Sequence, residues 1–190
     1  MKAILISIQP KYVADILNGK KTLEIRKTIP KCDLPIDVYI YCTKKEPYAR
    51  RCVHNDKWGT LEYIKSDGKV VAKFTLNKVE EIFTHINKQN GDYWYHLDTK
   101  PPVEGCIQNL CKKSCLKEEE LHSYLKGKKG YAWHIDNLVV FDKPKEISEF
   151  RQWFDCEKCW CVDNQDCLMN KQCPKHTLTR APQSWQFIEV

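Results

Sequence analysis

No stretch of this sequence approaches the ~20 apolar residues that a helix needs to span a bilayer, which excludes a helical membrane protein. A glycine-rich phosphate loop and a His-Glu-x-x-His pair are both missing, so neither a P-loop nucleotide hydrolase nor a zinc protease of that type is indicated. Internal repeats and low-complexity tracts are absent as well, which removes solenoids and disordered arrays. Nor does one charge dominate. The 31 basic residues face 25 acidic ones, a net of +6 that favours an anionic partner without the density of a histone-like protein. The opening "MKAILISIQPKY" has too short an apolar core for a secretory signal, so the expected location is the cytoplasm.

Cysteine, by contrast, is plentiful. There are 11 in a chain of 190 residues, a length that suits one domain with an embellishment. The odd number and the missing signal argue against a disulfide framework, and one cluster has metal-ligand spacing. In the tail "CEKCWCVDNQDCLMNKQCPKH", Cys156 and Cys159 are separated by two residues, a gap that lets one turn present two thiolates to a tetrahedral metal. Cys161, Cys167, Cys173 and His176 follow within reach. The expected ligands are Cys156, Cys159, Cys167 and Cys173, with His176 in reserve. A closed four-ligand set leaves no position for water, so the zinc expected here is structural. Cys106, Cys111 and Cys115 form a looser group without an evident fourth ligand, and Cys42 in its apolar strand reads as a packing residue.

Along the chain, "AILISI" (Ala3 to Ile8) has the length of a strand, and Pro10 opens a helix whose Val13, Ile16 and Leu17 share a face. Gly19 is its natural stop. "IDVYIYCT" (Ile36 to Thr43) reads as a buried strand, and "KVVAKFTLNKVEEI" (Lys69 to Ile82), entered through the turn "SDGK", as another. From His85 to Cys115 periodicity is weak and loop is expected. "SCLKEEELHSYLKG" predicts a helix with Ser114 as N-cap and Gly127 near its end. "YAWHIDNLVVFDKPKEI" supplies one or two strands, with Trp133 and His134 on opposite faces, and "SWQFIEV" a last one. Many short strands, few helices and no βαβ rhythm predict an α+β fold built on a small barrel.

The segment with the most chemistry is "NGKKTLEIRK", Asn18 to Lys27. Leaving the helix, it places Lys21 near the partly negative helix end. Alternation then puts Leu23 and Ile25 toward a core and Thr22, Glu24 and Arg26 on the other face, where the charges brace each other or a ligand. On pattern alone two readings stand, a solvated strand surface and the lining of a site. The loops "KKEPYARR" and "KGKK" and the aromatic "DYWYH" are open to the same two readings: solubilising or packing residues, or phosphate contacts and stacking surfaces.

The spacing of Gly19, Lys21, Glu24 and Arg26 resembles the Gly-x-Lys-x-x-Glu-x-Arg signature of the ASCH family. The order from "ILISIQPKYVADILNGKKTLEIRK" through "VYIYCT", "GKVVAKF" and "GYAWHIDNLVVFDKPKEI" to "APQSWQFIEV" is similar to the larger ASCH proteins of bacteria and phages. The resemblance implies a PUA-like barrel with flanking helices, and together with the cysteine spacing it gives the expected organisation: the barrel over residues 1–150, a cysteine-rich zinc-binding insertion over 151–178, and a strand returning to the barrel over 179–190. It also implies a cleft in which Lys21, Glu24 and Arg26 bind RNA, DNA or a modified nucleotide or nucleoside.

Some small relatives hydrolyse N4-acetylcytidine with the motif lysine, a threonine on the following strand and a distant glutamate. Lys21 matches that lysine, whereas Glu24 stands where the threonine would be, and the distant glutamate falls to Glu118 or Glu119. As a hydrolase, the chain would use Lys21 as base, after loss of its proton, with Glu24 or the distant glutamate activating water. A binder needs no such loss and is the expected function. The other readings are a hydrolase, either an amidohydrolase on an acylated nucleobase or nucleoside or a ribonuclease, and a phage-encoded module that engages a protein partner.

Overall fold

The first apolar run forms β1 (Lys2–Ile8), in which every residue from Ala3 to Ile8 is buried. The strand is covered on both faces: Ile4, Ile6 and Ile8 belong to the largest core cluster, Ala3 and Leu5 to another. That is why it reads as a continuous apolar run rather than an alternating one. The computed structural model describes residues 1–45, 47–55, 58–86, 89, 92–97, 106–153 and 176–190.

Helix α1 (Pro10–Leu17) begins at its proline, buries Val13, Ile16 and Leu17 as their spacing requires, and stops before Gly19, whose φ of 68° suits a residue without a side chain. Then come β2 (Leu23–Arg26), β3 (Ile36–Cys42), the hairpin β4 (Tyr48–Asn55) and β5 (Trp58–Lys65), and β6 (Val70–Leu76), β7 (Val79–Ile86) and β8 (Tyr93–His96). Two short helices follow, α2 (Cys106–Ser114) and α3 (Glu118–Leu125). The remaining strands are β9 (Gly130–His134), β10 (Asp136–Lys145), β11 (Arg151–Gln152) and β12 (Trp185–Glu189).

One six-stranded sheet has the order β10-β6-β3-β1-β12-β11, one four-stranded sheet the order β2-β9-β7-β8, and β4-β5 stand as a pair. A bent ribbon joins the two larger sheets. β6 pairs with β10 in the first and β7 pairs with β9 in the second, so both chains of the ribbon turn the same corner. At the bend, Asn77 Nδ2 donates to Asp136 Oδ2 at 3.3 Å and the His134 amide donates to the Lys78 carbonyl at 3.0 Å. The result is a sheet-dominated α+β fold of half-barrel form. β12 does return to the first sheet, antiparallel to β1.

Four expectations are corrected. Lys69 to Ile82 is two strands, because the polar Asn77 and Lys78 sit at the corner of the ribbon. His85 to Cys115 holds the end of β7, all of β8 and helix α2; Tyr95 is fully buried, so this aromatic pins the strand to the second core instead of offering a stacking surface. Lys44 to Arg51 runs into β4 rather than staying in a loop. Ser114 ends α2 and does not cap α3: there the N-cap is Lys117, whose amide donates to the Glu120 carboxylate at 2.8 Å.

Among the described residues no helix is long and apolar enough to cross a membrane.

Candidate functional site

β2 lies against β9, with Glu24 opposite Trp133 and Arg26 opposite Tyr131. Leu23 and Ile25 point into the second core, with Ile82, Leu110 and Leu121. The alternating partners Glu24 and Arg26 face the other way but are buried too: Lys21, Glu24 and Arg26 are only 3%, 7% and 7% accessible. A solvated strand face is therefore excluded, and Thr22, expected beside them, is exposed ahead of the strand.

The three side chains meet. Lys21 Nζ is 3.1 Å from Glu24 Oε2, and Arg26 Nη2 is 2.9 Å from Glu24 Oε1, so one carboxylate bridges two cations. Three further donor contacts go to backbone and to a hydroxyl, while Arg26 Nε has no partner among the described residues. Lys21 Nζ donates to the Ser114 carbonyl at 2.6 Å, Arg26 Nη2 to the Ser7 carbonyl at 2.8 Å, and Arg26 Nη1 to Ser184 Oγ at 3.2 Å. The lysine sits at two helix C-termini: its amide donates to the Asp15 carbonyl of α1 at 3.1 Å, as its place in the chain leads one to expect, while its ammonium reaches the end of α2, whose last carbonyls lack helical partners. The Tyr12 ring lies 5.2 Å from the ammonium.

These groups open onto a cleft of about 830 Å³ whose wall includes Tyr12, Thr43, Lys45, Ser123, Tyr124 and Gln183. That volume suits a nucleotide-sized ligand. The charges in its wall cancel, with Lys21, Arg26 and Lys45 against Glu24, Glu119 and Glu120. Tyr124 is partly exposed, and burial of the rest pushes its phenol pKa above the ordinary value, with Arg26 pulling the other way. Of the two distant glutamates suggested by resemblance, Glu119 reaches the cleft, whereas Glu118 lies 3.7 Å from His122. Ser7 and Ser184 carry no signal in the sequence and Ser114 signals only a helix cap, because each contributes to the site through a carbonyl or a hydroxyl that has no pattern.

His134 is satisfied by the Glu80 carboxylate and lies outside this wall, while Trp133 is wholly buried, so the histidine is structural and the tryptophan is core. Cys42 is buried as expected, and Cys111 packs against the second core. Among the described residues no group of three His, Cys, Asp or Glu is placed to hold a metal. Cys156, Cys159, Cys161, Cys167 and Cys173 lie outside the described residues, so the zinc expectation is neither met nor contradicted.

No family model matches the chain, and no curated protein matches it. Solved structures do. Two single-residue variants of ZmASCH from Zymomonas mobilis superpose with a TM-score of 0.53 at 16% identity, one over 98% of this chain and 88% of that one. The other does so over 100% of this chain and 91% of that one, again with a TM-score of 0.53 at 16% identity. At such identity the likeness speaks for the fold.

Proposed function

We propose that this chain, which has the fold of an ASCH domain, recognises nucleic acid or a modified nucleotide by taking one base into the cleft of Lys21, Glu24 and Arg26. The observation that carries this reading is the buried Glu24 carboxylate held between two cations in a cleft whose charges cancel. A phosphate would call for surplus positive charge, whereas a base edge is a neutral array of donors and acceptors. The Arg26 Nε–H is buried with no acceptor among the described residues, a cost of about 1–3 kcal/mol. Tyr12 and Tyr124 offer ring faces for stacking.

Binding also fits the lysine better than catalysis does. To act as a base, Lys21 would give up the ammonium through which it holds Ser114 and Glu24. The hydrolase reading keeps one specific support, the presence of Glu119 in the same cleft.

Calorimetric titration with nucleosides, acetylated nucleosides and short RNA separates the two. Arg26→Ala is expected to weaken binding about 10- to 100-fold, the worth of hydrogen bonds to a charged group, with no product formed. Consumption of an acetylated nucleoside that stops in Lys21→Ala would replace this reading with the hydrolase.

The second part of the proposal concerns residues 151–178 as an insertion. β11 stays paired with β12 through Gln152, and Thr177 bridges back to Arg151, so the described residues on the two sides of this segment lie next to each other. Cys156, Cys159, Cys167 and Cys173 would hold a structural zinc there, supplying the stability that a polar segment cannot draw from a core of its own. Metal analysis of the purified chain is expected to find about one zinc per molecule, the stoichiometry of one closed tetrahedral set. Metal-free protein with all thiols titratable would remove this part.

A further inference from the structure

The hairpin β4–β5 docks one face and leaves the other uncovered. In its antiparallel register Ala49 lies opposite Ile64 and Arg51 opposite Glu62, while Tyr48 lies opposite Lys65 and Arg50 opposite Tyr63. Side chains alternate along a strand, so these two sets occupy opposite faces. The inner set is settled: Ala49 is buried, Ile64 packs against the largest core cluster, and Arg51 is 3.9 Å from Glu62. On the outer face Tyr48 and Tyr63 are 49% and 62% accessible, and Arg50 and Lys65 are exposed. Among the described residues neither of those cations has an acidic partner.

Two rings and two free cations alternating across a pair of strands match one kind of partner closely. Bases of an unpaired strand stack on rings of any identity, and its phosphates follow unpaired cations. A protein partner held by an apolar patch would gain nothing from two cations left without counter-charge.

The position is equally suggestive. Asn18, the C-cap of α1, donates from Nδ2 to the Arg50 carbonyl at 3.0 Å, which ties β4 to the segment that leads to Lys21. Thr43 and Lys45, which lead into β4, are already part of the cleft wall. Because the charges in that wall cancel, a chain of phosphates needs a second surface.

We propose that the outer face of β4–β5 is a platform for single-stranded polynucleotide: Tyr48 and Tyr63 stack bases, and Arg50 and Lys65 contact the phosphates between them. The inference rests on the cleft reading for its direction, since it makes the ligand a polymer that flanks the base held beside Glu24. It stands on separate residues.

The test is fluorescence anisotropy of the full chain with RNA and DNA oligonucleotides of one sequence, ~10 nucleotides long to cover a typical site, at several salt concentrations. Tyr48→Ala and Tyr63→Ala are each expected to weaken binding about tenfold, and Tyr63→Phe to keep it, because the ring and not the hydroxyl is used. Arg50→Ala with Lys65→Ala is expected to reduce the slope of log affinity against log salt by about 1.4, two contacts at ~0.7 each. Circular dichroism should show all these exposed variants folded.

A quadruple variant that binds either oligonucleotide as well as the parent overturns the platform. So does a parent chain that binds neither at low salt, which is how a hairpin used for protein docking would behave. If Arg26→Ala leaves oligonucleotide affinity intact while the hairpin variants lose it, the cleft reading falls and the platform stands. Preference for RNA or for DNA, or equal binding of both, upholds the platform and identifies the polymer.

Discussion

Glu24→Ala is expected to lower the free energy of unfolding by about 3–5 kcal/mol, because it strands two buried cations. Lys21, Glu24 and Arg26 have side-chain exposures of only 2%, 10% and 9%, so water does little to screen them. With the carboxylate gone, Lys21 keeps one acceptor, the Ser114 carbonyl, while Arg26 keeps the Ser7 carbonyl and the Ser184 hydroxyl. Hydrogen bonds remain; the counter-charge does not. Urea denaturation followed by circular dichroism measures the loss.

The triple variant Lys21→Met, Glu24→Leu, Arg26→Met provides the contrast. Replacing a whole buried ion cluster with apolar groups of similar volume is commonly neutral or stabilising, so this variant is expected to unfold near the parent midpoint. It should nevertheless lose ligand binding. Stability retained with binding lost would mean that the cluster is kept for recognition. A loss below about 1 kcal/mol in Glu24→Ala, the range of exposed ion pairs, would show that the cluster is in water after all.

Trp133→Ala is expected to cost about 3–5 kcal/mol, the range for deleting a large buried aromatic. Trp133 is fully buried and, although it belongs to β9 of the four-stranded sheet, it packs in the largest core cluster with residues of β1 and α1. Its ring centroid lies 5.6 Å from that of Trp185 on β12. The indole thus links the two sheets, and the same denaturation experiment reads its loss.

Trp133 is also the cross-strand partner of Glu24, so the two side chains stand on one face of the sheet. A cavity at Trp133 would let β2 shift, and ligand affinity should fall along with stability. Glu24→Ala, by contrast, removes a recognition group directly. Trp133→Phe separates the cases: it refills most of the volume, and both stability and affinity should recover toward the parent.

Several elements could be read without coordinates because a local signal specifies each. Pro10 and Gly19 bracket α1, the alternation around Leu23 assigns sides to β2, and the turn at Asp67 and Gly68 precedes β6. The hairpin β4–β5 was hidden because its outer face carries arginine, lysine and tyrosine, which imitate a loop. Its docking depends on Ala49 and Ile64, and the core those two residues enter comes from other elements. β8 and α2 escaped for a similar reason: their stability comes from the second core, which they complete together with β2 and β9.

The candidate site shows the same division at closer range. Spacing alone brings Lys21, Glu24 and Arg26 to one side of a turn and strand, because the period of a strand is two. Whether those charges are wet or buried is not a local matter. The groups that enclose them are Ser7, Ser114 and Ser184, which lie 19, 93 and 158 residues away from their partners in the chain. Periodicity and helix-ending residues act over a few positions and are written in the chain itself. The removal of water from a charge requires neighbours on every side, and only the closed packing of β1, α2 and the segment before β12 around β2 supplies them.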